Sequence, residues 1–94
     1  MYFLPPEGTI SRDKALDAAR AALKNEGLSD EYIAQHSAFF AYTFYDDYKG
    51  SIRCWRIDFY TPEAMNGPML DGYIVFIHPE TGEVISLWSP GGNG

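Results

Sequence analysis

The chain has 94 residues, a net charge of −6, a single cysteine and 46% hydrophobic residues, the length of one domain with a single core. Cys54 has no partner for an internal disulfide, and Cys54, His36 and His78 are too few and too scattered for a zinc site, which takes four ligands in spaced pairs. All seven Lys and Arg lie at or before Arg56 and five acids follow it, so that half of the chain would repel phosphate and anionic lipid; this argues against nucleic acid and membrane surfaces as partners.

Residues 1–9 read as a poorly ordered lead-in, with Pro5 and Pro6 opposing a helix. "MYFLPPEG" lacks the basic start and the apolar run of a signal peptide, and no stretch is long enough to span a bilayer. Composition does not choose between a cytoplasmic chain and a trimmed piece of an exported one. A helix follows in "SRDKALDAARAALKNEG". Ser11 serves as its N-cap, Asp13 meets the positive end and Gly27 stops it. Ala15, Leu16, Ala19, Ala22 and Leu23 form one apolar stripe on this helix. Because the stripe is mostly alanine, the partner surface must supply the bulk.

"LSDEYIAQH" reads as a short second helix capped by Ser29, with Leu28 stapled to Ile33. The period then changes from helix to strand. Of the 15 aromatics, 12 lie between Phe39 and Trp88, which places the sheet in the later part of the chain. In "FFAYTFY", Phe40, Tyr42 and Phe44 alternate with Phe39, Ala41, Thr43 and Tyr45; the first set is assigned to the core. A turn is expected at Asp46–Gly50, with both aspartates facing water. "SIRCWRIDFY" alternates clearly, with Trp55, Ile57 and Phe59 inward and Arg56, Asp58 and Tyr60 outward. Cys54 reads as a buried structural thiol. The stretch 61–70, with two prolines and a glycine, is a long loop. "DGYIVFIH" and "GEVISLW" are the last two strands, and residues 89–94 a flexible tail.

Pro79-Glu80-Thr81-Gly82 joins those strands as a hairpin turn, Pro presetting φ and Gly taking φ > 0. Glu80 and Glu83 are then solvated turn residues, and His78 is neither a metal ligand nor a catalytic base. There is no Gly-x-Ser-x-Gly, no phosphate-binding glycine loop and no His-Glu-x-x-His, and Asp46-Asp47 lacks the spacing of a calcium loop. No nucleophile stands beside a base, so no catalytic residue, cofactor site or metal site is assigned. The expected fold is α+β: one main helix and a short one packed on a twisted antiparallel sheet of about four strands, with residues 10–88 as a single domain.

Two segments carry a resemblance. "ISRDKALDAARAAL" is similar to the helix of the PepSY family through Ile10, Ser11, Ala15 and Ala19. "GYIVFIHPETGEVI" is similar to that family's closing hairpin through Tyr73, Val75, Ile77, Thr81, Gly82 and Val84. "CWRIDFY" looks like the family's middle strand, and His78 stands where the family usually has Asp. The resemblance covers about residues 10–88. It implies no catalytic residues and a module like those in the propeptides of thermolysin-like metallopeptidases and in cell-envelope proteins, where it inhibits or regulates peptidases or binds other proteins. It also implies an extracytoplasmic location, as part of a lipoprotein or membrane-anchored protein, without direct insertion of this segment. The rival readings are a structural or sensory ectodomain with no peptidase partner, and a small-molecule binder using a pocket between helix and sheet. The expected partner surface is the sheet face away from the helix: Phe39, Tyr45, Arg56, Asp58, Tyr60 and Trp88. A foreign protein, a chain tail or a second copy forming a homodimer would each cover such a face.

Overall fold

The computed structural model describes residues 4–47, 50–60 and 72–88. The expected loop 61–70, the tail 89–94 and the first residues of the lead-in lie outside the described residues. Helix α1 spans Arg12–Asn25 and helix α2 Asp30–Ala34; strands β1 (Ser37–Asp47), β2 (Gly50–Tyr60), β3 (Gly72–Ile77) and β4 (Val84–Trp88) follow. The strands form one antiparallel sheet in the order β1-β2-β3-β4.

Local chemistry sets the helix limits. Ser11 Oγ accepts from Lys14 N–H at 3.1 Å, and Ser29 Oγ accepts from Tyr32 N–H at 3.1 Å. At the far end of α1, Gly27 takes φ 99°, a conformation open to glycine at little cost. Its N–H donates to Lys24 O at 2.9 Å and Leu28 N–H to Leu23 O at 3.2 Å, which closes the helix and turns Leu28 back onto the core.

The stripe of α1 meets the sheet as its spacing predicts. Ala15, Ala19, Ala22 and Leu23 are buried, and Leu16 packs beside them. Their small side chains let α1 lie close over β3, with β2 and β4 to either side. The sheet supplies the bulk through Trp55, Ile57, Phe59, Val75 and Ile77, and α2 adds Ile33. Burying a side chain of that size contributes roughly 1.5–3 kcal/mol. Trp55 also donates its indole N–H to Ile10 O at 3.0 Å, and Ile10 N–H donates to Pro79 O at 2.7 Å. The residue before α1 is thereby held between the core and the last hairpin.

Two expectations about β1 are corrected. Phe44 was assigned to the core with Phe40 and Tyr42. Tyr42 is buried and Phe40 partly so, but Phe44 is 45% exposed. The reason is strand length. β3 pairs with β2 only from Trp55 onward, so the stretch opposite Phe44 runs past the third strand and past the helix. There the Arg53 guanidinium lies 5.1 Å from the centre of the Phe44 ring. β1 also runs further than expected. β1 continues through Asp46 and Asp47 to pair with Ser51 and Gly50, and Ser51 Oγ donates to the Asp46 carboxylate.

Candidate functional site

The register of the sheet places the outward residues in transverse rows. One row runs Phe39, Asp58, Ile74, Trp88 across all four strands; the next runs Ala41, Arg56, Phe76, Ser86. Phe39, Arg56, Asp58 and Trp88 therefore share one patch, with Tyr60 one position up β2 from Asp58 on the same side. The two exposed aromatics of this patch, Phe39 (47%) and Trp88 (56%), stand at opposite ends of a single row. Three strand spacings separate them, about 14 Å.

Between them lies a tied polar cluster. Arg56 donates from Nε to Asp58 Oδ1 at 2.8 Å and from Nη2 to Oδ2 at 3.1 Å, and Tyr60 O–H donates to the same Oδ2 at 3.0 Å. Alternation makes this possible, because residues two apart on a strand stand side by side. The Asp58 side chain keeps only 15% of its exposure, so the bidentate pair is shielded on one side and open at the guanidinium. The Tyr60 ring meets Phe39 edge to face at 5.5 Å. Trp88 is steadied by its own strand, its indole N–H donating to Ser86 Oγ at 3.1 Å.

Tyr45 has a different role from the other residues expected in this patch. It does face away from the helix, but its ring reaches across β2 to Phe76, with centroids 4.7 Å apart. Cys54 lies on β2 between those two strands, on the same face, and is fully buried. Burial pushes the Cys54 thiol up to about 11. Tyr45 and Phe76 thus close a small second apolar cluster on the face opposite the helix. Ile74 and Phe76 were not among the expected site residues. The alternation of "GYIVFI" carries the signal, since both fall opposite Tyr73, Val75 and Ile77.

The closing hairpin explains His78. Its Nδ1 accepts from Glu80 N–H at 3.1 Å and Thr81 N–H at 3.2 Å, while the backbone closes with His78 N–H to Glu83 O at 2.8 Å and Gly82 N–H to His78 O at 3.1 Å. Gly82 supplies φ 77°. A side-chain acceptor bonding the N–H groups two and three residues ahead is what an aspartate does at such a turn; here the imidazole Nδ1 does it. Among the described residues no group of His, Cys, Asp and Glu is placed to hold a metal ion.

On the helix side, an open groove of about 470 Å³ runs between α1 and β4, bordered by Ala18, Ala22, Glu26, Val84 and Leu87. No described helix is long and apolar enough to cross a membrane.

The chain matches the PepSY family, described as the peptidase propeptide and YPEB domain, over residues 9–88 of its 94. It belongs to the PepSY family. The match begins just before Ile10 and ends at Trp88, so it takes in both helices and all four strands. No curated protein and no solved structure matches the chain. Within this PepSY domain, His78 accepts two of the last turn's side-chain hydrogen bonds, and Thr81 Oγ1 accepts another from Glu83 N–H at 3.2 Å.

Proposed function

We propose that this PepSY domain is a non-catalytic protein-binding module that regulates or inhibits an extracytoplasmic peptidase, and that the peptidase docks on the sheet face away from α1. The family description supports a peptidase-linked role. The observation that carries the surface is the row Phe39–Asp58–Ile74–Trp88, exposed aromatics at both ends of a shielded Arg–Asp–Tyr cluster. Aromatics and Arg with satisfied polar partners form the energetic centre of protein interfaces. Tyr45 lies on the same face, packed against Phe76.

The test changes Phe39 and Tyr60 to Ser together and measures binding to, and inhibition of, a thermolysin-like metallopeptidase. The expected result is a folded variant that binds at least about tenfold more weakly, as loss of one interface anchor does. Unchanged binding overturns the surface. A wild-type domain that neither binds nor inhibits the peptidase overturns the peptidase reading. The competing small-molecule reading rests on the open groove between α1 and β4. It predicts that Ala21→Leu, at an exposed groove position on α1, abolishes ligand-induced thermal stabilisation while Phe39→Ser leaves it intact.

A further inference from the structure

β1 ends the four-strand order, so one of its sides pairs with β2 and, among the described residues, no strand pairs with the other. It is 11 residues long and its ladder with β2 runs without a bulge. Exposed edges of that length are ordinarily blunted by lysine, proline or a bulge, because they template pairing with another chain. From Ser37 to Tyr45 this strand has no proline and no charged residue.

Its residue order is symmetric by type about Tyr42. Ala41 and Thr43 stand one step out, Phe40 and Phe44 two steps, Phe39 and Tyr45 three steps. An antiparallel copy centred on Tyr42 would set Phe39 against Tyr45, Phe40 against Phe44 and Ala41 against Thr43. Both members of each pair lie on the same side of the sheet, so the pairing keeps the helix-side and outer faces in register. Aromatic meets aromatic and small meets small, the arrangement that stabilises neighbouring strands.

We propose that β1 pairs with β1 of a second copy of this chain, antiparallel and centred on Tyr42, to give a two-fold dimer with a continuous eight-stranded sheet. Such an interface is isologous, and a strand of palindromic type is self-complementary in that sense. The pairing adds neighbours for Phe39 on the outer face and Phe44 on the helix side, exposed aromatics that docking on the outer face alone does not cover together. Charge fits as well. Arg12 lies 5.1 Å from the Phe40 ring. The register brings Asp46 of the second copy opposite Ala38, next to that ring on the same side. Each chain carries −6, so added salt should strengthen the dimer by screening the remaining repulsion. This inference is independent of the peptidase reading.

The experiment measures the mass of the full chain in solution over a range of concentrations and then tests the register by cross-linking. The expected mass is twice the chain's 10.6 kDa. Phe39→Cys and Tyr45→Cys chains, mixed and oxidised, should form a disulfide dimer, while either alone should not, since like positions lie six residues out of register. A chain that stays monomeric at millimolar concentration overturns the proposal. So does a dimer in which the mixed chains fail to cross-link, or in which Phe39→Cys alone does so. Phe44→Lys enters the seam twice, and it should raise the dimer dissociation constant on the order of tenfold or more with the fold retained. A folded Phe44→Lys dimer of unchanged affinity also overturns the proposal, and an extended peptide captured on β1 of a monomer would show that the edge serves another strand.

Discussion

On the helix side of β2, Trp55, Ile57 and Phe59 are buried against the alanines of α1, and their positions depend on an element distant in sequence. On the other side of the same strand, Arg56, Asp58 and Tyr60 bond to one another within five residues. The first face is held by area removed from water, which is non-directional and large. The second is held by directed hydrogen bonds and ring contacts, each worth little alone. The difference teaches where this small domain keeps its stability and where it can present chemistry without losing its fold.

The strongest test of the contrast is Trp55→Ala. It removes a buried ring and the hydrogen bond to Ile10 O, and should cost roughly 3–5 kcal/mol by urea denaturation. Arg56→Ala, one residue away on the other face, should cost about 1 kcal/mol, because the pair with Asp58 is only half shielded. Equal shifts would mean that the two faces do not differ as described.

Tyr45→Ala probes the exception on the outer face, the apolar cluster over Cys54. A loss of about 2 kcal/mol is expected, with the Cys54 thiol turning from inert to readily labelled. If labelling remains slow without Tyr45, other groups shield the thiol.

The same cysteine makes stability depend on alkaline pH. Unfolded, its thiol ionises near the ordinary 9.0; folded, it keeps its proton to about 11. The folded state therefore binds more protons in that window, and stability falls as pH rises through it. The fall attributable to Cys54 should be roughly 2 kcal/mol and should vanish in Cys54→Ala, read as the difference between the two denaturation curves over that range.

His78→Ala should cost about 1 kcal/mol, since it leaves two turn N–H groups without their side-chain acceptor. His78→Asp should restore the melting temperature. If His78→Asp melts with His78→Ala, the imidazole contributes packing rather than its acceptor nitrogen. The smallest effect is expected for Phe39→Ser, within about 0.5 kcal/mol, because an exposed ring at the sheet edge carries little of the fold.

Much of this was legible from local chemistry. The caps at Ser11 and Ser29, the stop at Gly27 and the turn at Pro79–Gly82 depend on residues within a few positions, and the sequence displays them directly. The alternation around Trp55 assigned both faces of β2, because a strand's period is two and its buried face is apolar. The outward side of Phe39, Arg56, Asp58 and Tyr60 was readable for the same reason; that of Trp88 was not, because the last strand is apolar on both faces, and its pairing with Ile74 places it. Phe44 was misplaced because alternation reports a side, not whether anything lies on that side. That depends on where β3 stops, and β3 pairs with β2 only from Trp55 onward.

The sequence by itself determined the order of the elements, the limits of the helices and, on β1 and β2, the side of the sheet on which each residue stands, because these follow from backbone preferences and from periods of 3.6 and 2. Only the tertiary structure decided which aromatics share a row, that Tyr45 and Phe76 meet across β2, that Cys54 is buried opposite the helix, and that β1 and β2 run beyond the rest of the sheet. Those facts depend on the register between strands far apart in the chain, and register is a property of pairs of segments that no single segment carries.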